Sequence, residues 1–314
     1  MIHKIITHPG QAHQDDLLAV SVMLAMYPEA RVERRVPTPQ ELEDHNVACI
    51  DIGGQYDPAL NNFDHHQWGS GSLAGESCPC AATLVVEHYT GLQRPSEHIP
   101  YDGELYNCFP ALRFLDHIDN HGPYKTASKY VYVDPDRPKH TDAQIKGCAS
   151  LLMDSFPMPM QFLLTAFQNW DTNESWLRPC LTLMGTDIIN QAKAYTKAVA
   201  RIEQEPPTLH PVHDVTGTRY IAVYDDELTF TERGVLTQYL KDKHRGVVVV
   251  ASHDDRGPGW SCVQFDGDTT MDTRRVKDDE RVLFAHASGF IMKTKNELSI
   301  EDVVGLIREA MGNH

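Results

Sequence analysis

The chain has 314 residues, 41% of them hydrophobic, and a formal net charge of −16. That length suits one large domain or two ordinary ones, with apolar material enough for real cores. A balance this acidic excludes a general nucleic-acid binder, which carries a basic surface; a nucleic acid or a small phosphorylated substrate fits only in a local pocket where metal ions offset the phosphate charge.

In chain order, residues 2–6 (IHKII) read as a short strand followed by the polar loop THPGQAHQDD. Residues 17–26 (LLAVSVMLAM) are apolar nearly all round, which predicts a buried helix stopped at Tyr27-Pro28. Residues 31–36 (RVERRV) read as an outer strand and 39–44 as a short helical stretch. Residues 47–52 then form a continuous apolar strand ended by Gly53-Gly54. Strand, helix, strand, helix, strand is the pattern of a parallel α/β sheet. Such sheets bind ligands beyond the carboxyl ends of their strands, which is where His8 and Asp51 fall.

Residues 69–77 (GSGSLAGES) are expected to be mobile. Helices are expected at 81–89, capped by Gly91, at 111–119, and at 142–155, 159–170 and 183–204. The Pro-rich stretch from Glu203 to Thr218 reads as a linker, and its HPVH at 210–213 as incidental. Beyond it, strands are expected at 219–224, 246–251 and 260–265 and a helix at about 299–311, making a small second α/β or α+β unit. The domain division expected from this is 1–204 and 205–314.

No apolar run is long enough to span a bilayer, and the first residues lack the basic-then-apolar layout of a secretory signal, so a cytoplasmic protein is expected. Seven scattered cysteines, an odd number, are expected to be reduced thiols. Cys78-Pro79-Cys80 lacks the second pair of a zinc site and reads as a small-residue lead-in to a helix.

Of 17 histidines, ten fall within residues 1–121, among aspartates. His8, His13, Asp15 and Asp16 offer imidazole and carboxylate donors suited to manganese, zinc or iron, although Asp15 or Asp16 could equally cap the following helix. In NNFDHHQ, one histidine can bind a metal while its neighbour reaches a phosphate, and Asp64 can fix a ring tautomer. Asp51 stands at a strand end, and Asp116 and Asp119 are spaced to share one helical face. Each signal alone also has a plain structural explanation as a turn, a cap or a surface charge pair.

Their order is more specific. THPGQAHQDD, IDIGGQYDP, FDHHQ and LDHIDNHG, followed near the end by FAHASGF, resemble the motif series of the DHH phosphoesterase superfamily, and most closely its Myg branch, named after the melanocyte-proliferating gene. The resemblance implies a two-domain α/β enzyme. A parallel-sheet DHH-type domain would bind two divalent ions, manganese or magnesium, and a smaller C-terminal α/β domain would close over the substrate, with the active site in the cleft between them. By motif it implies metal ligands at His8, His13, Asp15, Asp51, His65 and the Asp116/Asp119 pair, with Asp51 bridging the ions. The choice within that pair, direct coordination by His13 and the part played by Asp16 all stay open. His66 would face the scissile phosphate as donor or general acid, and His286, Ser288 and Gly289 would hold a phosphate or terminal nucleotide. Paired ions of this kind activate water and clamp the two oxygens of an in-line displacement. Histidine at position 13 tilts the site towards manganese.

The activity that the resemblance implies is 3′-to-5′ exonuclease action on RNA or short oligonucleotides. A small-nucleotide phosphatase or pyrophosphatase is the alternative that the acidic charge favours, and a non-catalytic nucleotide binder is the third. A homodimer is compatible with the sequence. Arg31, Arg34, Arg35, Arg274, Arg275 and Lys277 read as solvated surface and receive no role.

Overall fold

The structure is a computed structural model that describes residues 1–68, 78–94, 103–130, 158–214, 217–254, 257–295 and 298–312. The expected mobile stretch at 69–77 and helix at 142–155 lie outside those residues. The chain divides into two compact units, Met1–Lys193 and Ala194–His314.

The first unit is built on a five-stranded sheet. Its strands are β1 (Lys4–Thr7), β2 (Arg31–Arg34), β3 (Val47–Ile50), β4 (Tyr56–Asp57) and β5 (Asn62–Phe63), in the order β2-β1-β3-β5-β4. β1 pairs parallel with β2 and β3, and β3 with β5; only the β4–β5 pair is antiparallel. β2 is thus an outer strand, as its mixed composition predicts.

Helix α1 (Gln14–Met26) joins β1 to β2, and short α2 (Pro39–Leu42) lies between β2 and β3. α1 begins three residues before the apolar run because Asp16 accepts the His13 backbone N–H at 2.9 Å, an N-terminal cap that the polar loop itself supplies. Leu17, Ala19, Val20, Val22, Met23 and Leu24 are fully buried, so several faces of α1 are covered. It packs on the sheet, on α3 (Ala81–Thr90) and on α5 (Pro110–Tyr130), which follows α4 (Glu104–Cys108). Its neighbours also include α6 (Met158–Gln168) and, at Gly185, α7 (Trp170–Gln204). At Gly185 of α7, a Cβ would lie 2.0 Å from the Ser21 carbonyl oxygen, so only glycine lets those two helices approach this closely.

Two expectations need correction. Helix α7 starts at Trp170 rather than at 183 and runs through Pro179. Its first half is anchored by buried Trp170, Leu177 and Leu181 and by Arg178, which donates to the carbonyls of Pro28 and Ala30. The stretch read as a linker contains β6 (Thr208–Asp214), paired antiparallel with β7 (Gly217–Tyr224). β6 is the edge strand of its sheet, where Pro211 is tolerated because one side of an edge strand needs no N–H donors.

The second unit has a six-stranded sheet in the order β10-β11-β9-β8-β7-β6. Its further strands are β8 (Val247–His253), β9 (Trp260–Gln264), β10 (Val282–Ala285) and β11 (Ile291–Thr294). β7, α8 (Phe230–Lys243) and β8 form a parallel crossover; the other pairs are antiparallel. Helix α9 (Ile300–Met311) buries Val303, Leu306 and Ile307 in a core with Val249, Trp260 and Met292. Ser299 caps it at the start and Gly312, at φ 79°, at the end. Both units are α/β. Among the described residues, no helix is long and apolar enough to cross a membrane.

Candidate metal centre

Register brings the polar residues together. Thr7 lies opposite both Arg34 of β2 and Ile50 of β3, so the carboxyl ends of three parallel strands are level. His8 and Asp51 follow directly. β5 ends one strand further along and delivers Asp64, His65 and His66 to the same edge.

Three overlapping groups of donors arise there: His8, His13 and Asp51; His13, Asp15 and Asp119; and Asp51, Asp64, His65 and His66. Within each group the donor atoms lie within 4.8 Å of one another. Asp51 connects the first group to the third through different oxygens. Its Oδ2 is 3.4 Å from His8 Nε2, and its Oδ1 is 3.1 Å from His65 Nε2. Asp51 is 3% exposed and takes a left-handed backbone, φ 55°, while its N–H donates to the Phe63 carbonyl at 3.0 Å.

The rings of His8 and His66 are held through Nδ1. His8 Nδ1 is 2.9 Å from the Pro9 carbonyl, which leaves Nε2 facing Asp16 Oδ2 at 3.2 Å and Asp51, yet without a hydrogen bond. His65 Nε2 lies between Asp51 Oδ1 and Asp119 Oδ2, at 3.1 and 3.2 Å. His66 directs Nδ1 to Asp64 Oδ1 at 2.6 Å and keeps 63% of its side chain exposed. The His13 ring is exposed, with its centroid 5.2 Å from that of His8.

Asp64 is saturated by donors. Oδ1 accepts the backbone N–H groups of His65 and His66 as well as the His66 ring, and Oδ2 accepts the Gly54 N–H at 2.6 Å. Burial works against its charge, but the His66 and backbone hydrogen bonds pull its pKa down to about 2. The same bond from Asp64 is the main reason that His66 is raised to about 9.

Asp15 is the opposite case. It is 3% exposed, its Oδ2 has no hydrogen-bond partner, and burial together with the Asp51, Asp119 and Asp16 charges pushes its pKa well up. Burial raises Asp119 too; His65 opposes the rise and Asp51 adds to it. A buried imidazole nitrogen that faces two carboxylates, and a buried carboxylate oxygen among other carboxylates, both without a hydrogen bond, are a lining suited to cations. The donor set of imidazole nitrogens and carboxylate oxygens fits a divalent metal.

The helical pair separates. Asp119 points into the cluster. Asp116 does not: it is 2% exposed and accepts from the Cys80 N–H at 2.8 Å, the Thr83 hydroxyl at 2.6 Å and the Tyr106 hydroxyl at 2.5 Å. Three residues further along a helix is nearly a turn, but the 60° shortfall aims the two carboxylates at different neighbours. Cys80 serves as the N-cap of α3, and Asn120 ties the Cys78 carbonyl to α5 at 2.7 Å, which gives the CPC stretch its structural part.

Asp16 both caps α1 and faces His8. Arg34, unassigned from sequence, reaches Asp16 as well; a lone arginine in an outer strand carries no signal of that contact. His286, Ser288 and Gly289 lie in the second unit. There the Ser288 N–H donates to His286 Nδ1 at 3.1 Å, and Gly289, at φ 80°, sits where a Cβ would be 2.5 Å from Asp272 Oδ1.

Residues 4–92 match the family model described as MYG1_exonuc, Uncharacterised protein family (UPF0160). The MYG1 protein of Saccharomyces cerevisiae is 35% identical over 94 residues, which cover 28% of this chain and 27% of that one. The MYG1 exonuclease of Homo sapiens is 39% identical over 66 residues, 20% of this chain and 17% of its own. The matched stretch therefore spans about a quarter or less of these relatives. A solved structure titled pGpG-specific phosphodiesterase, PggH from Vibrio cholrae, aligns with 100% of this chain and 99% of its own at 11% identity and a TM-score of 0.30. Over residues 4–92, which contain His8, His13, Asp15, Asp51, His65 and His66, the chain is similar to the MYG1 exonuclease family.

Proposed function

We propose that the chain is a metal-dependent phosphodiesterase, a 3′-to-5′ exonuclease acting on RNA or short oligonucleotides. The observation that carries this reading is the Asp51 carboxylate, with one oxygen towards His8 and the other towards His65, beside the unpartnered Asp15 Oδ2. His8, His13, Asp15, Asp51, His65 and Asp119 are the residues that would hold two divalent ions, manganese by preference because imidazole shares the donor set. Such ions supply Lewis-acid polarisation of the phosphate and activation of the attacking water.

The chain's own residues do the rest. Asp51 holds both halves of the donor set from one rigid strand end. Asp64 keeps the His66 ring charged and turned outwards, so that its Nε2–H can donate to a phosphate oxygen or to the leaving oxygen. Asp116 fixes the helix that presents Asp119. In the second unit, His286, Ser288 and Gly289 are proposed to hold a phosphate or terminal nucleotide, a reading that rests on the HASGF motif. The names of the human, bovine, mouse and rat relatives support exonuclease action.

The test is a substrate panel with the manganese-loaded protein. End-labelled short RNA is expected to shorten stepwise from its 3′ end, and Asp51→Ala to abolish this. Full activity in Asp51→Ala would overturn the assignment. Phosphate release from pyrophosphate with intact RNA would favour the alternative, a small-nucleotide phosphatase or pyrophosphatase, to which the net charge of −16 also points.

A further inference from the structure

A buried guanidinium stands beside the cluster without a part in the chemistry above. Arg34 is the last residue of β2, and its side chain is 7% exposed. Nη1 donates to Asp16 Oδ2 at 2.9 Å, and Nη2 donates to the Gly10 carbonyl at 3.3 Å. The guanidinium lies 4.5 Å from the centre of the Phe167 ring. Asp16 is fully buried, and its other oxygen holds the His13 N–H.

These contacts join both ends of the loop that carries the histidines. Gly10 lies two residues after His8, and Asp16 directly follows Asp15. A buried arginine–carboxylate pair adds little net stability by itself, because desolvating two charges offsets their attraction. Its value lies in geometry, since a planar fork holds two acceptors in fixed relation, which an ammonium cannot do. The pair also determines which carboxylates are available. Asp16 Oδ2 is 3.2 Å from His8 Nε2, close enough to compete with Asp51 for whatever His8 binds. With Arg34 on one oxygen and the His13 N–H on the other, Asp16 is committed to protein donors.

We propose that Arg34 is a positioning residue of the metal centre. It staples Gly10 to Asp16, thereby fixing His8 and Asp15, and it keeps Asp16 out of the donor set. The proposal rests on the metal reading above.

The test is manganese binding, followed by the electron paramagnetic resonance signal of free manganese, for the wild type, Arg34→Gln, Arg34→Lys, Asp16→Asn and the Arg34→Gln/Asp16→Asn double variant. Circular dichroism and melting curves check the fold. Arg34→Gln is expected to bind manganese about 10- to 100-fold more weakly, the scale of effect seen when the support of a metal ligand is lost. Arg34→Lys should recover part of the loss, and the double variant should be no worse than the weaker single one, because both act through one contact. Arg281→Gln removes an arginine that pairs with Asp279 and Glu309 in the second unit, and should leave affinity unchanged. If Arg34→Gln does not fold, Arg34→Lys takes its place in the cycle with a smaller expected loss. Wild-type uptake with unchanged affinity in the Arg34 variants would overturn this proposal alone, as would losses that simply multiply in the double variant. A wild type that takes up no manganese would overturn it together with the metal reading.

Discussion

Asp51 combines two demands in one residue. Its carboxylate must reach both His8 and His65, and its backbone must turn at φ 55° to place it there. Aspartate tolerates the left-handed region better than most residues, but the conformation still costs about 1 kcal/mol. The two demands separate by substitution. Asp51→Gly removes the carboxylate and accommodates the turn, whereas Asp51→Ala removes the carboxylate and keeps the strain. Both are expected to lose manganese binding and phosphodiesterase activity. In urea unfolding of the metal-free proteins, the alanine variant should be about 1 kcal/mol less stable than the glycine variant. Equal stabilities would mean that the turn is not a constraint on this position.

At the scale of elements, the centre depends on how closely α1, α3, α5 and α7 approach one another. Gly185→Ala would drive a Cβ into the Ser21 carbonyl of α1, and backbone cannot step aside as a side chain does. Thermal unfolding should show a loss of about 1–3 kcal/mol, the usual cost of overpacking. Asp116→Ala would strand the Thr83 and Tyr106 hydroxyls and the Cys80 N–H at the α3–α5 contact. Its expected cost is about 3 kcal/mol, with weakened manganese binding because Asp119 rides on the same helix. Wild-type stability in Asp116→Ala would refute its part as the link between the helices. These two helices also mark the limit of what sequence can convey. The spacing of Asp116 and Asp119 is legible, but which one faces the cluster depends on the rotation of α5 against α3, and that is set by contacts distant in sequence. β1, α1 and β3 are legible because an apolar run and its terminators are local. β6 is not, because Pro211 and its polar neighbours look the same in a linker as on a sheet edge. Arg34 is illegible for a related reason, since its partner Asp16 lies 18 residues away in the first turn of α1.

Across the whole molecule, the titrating groups of the cluster give a pH dependence with a definite sign. Asp15 and Asp119 are raised, chiefly by burial; so is Asp116, outside the cluster. The neighbouring carboxylates, Asp16 and Asp51 beside His8 and Asp51 and Asp119 beside His65, raise both histidines against the opposing effect of burial, and His66 reaches about 9 through Asp64. Each of these groups binds its proton more tightly in the folded chain than in the unfolded one. The native state therefore carries the extra protons, and stability falls as pH rises through the interval between the unfolded and folded values. For the histidines, the contribution is fully present below about 6.5, the unfolded value, and is lost as pH passes the folded values, which for His66 is about 9. For the raised aspartates, the loss begins near the unfolded value of about 4. His88, lowered by burial, opposes the trend as a single group, and Asp64, lowered to about 2, has already made its contribution by pH 5. The metal-free protein should therefore melt at progressively lower temperature from pH 5 to pH 9. Divalent ions replace the displaced protons, so manganese binding should release protons and tighten as pH rises. At about 100 times its dissociation constant, an ion adds about 2.7 kcal/mol, which should flatten the melting profile at its alkaline end. Calorimetric manganese titrations in buffers of different ionisation enthalpy measure the released protons directly. A titration that releases none, together with a metal-free melting temperature that rises from pH 5 to pH 9, would show that the cluster is held together by its own hydrogen bonds and does not await a cation.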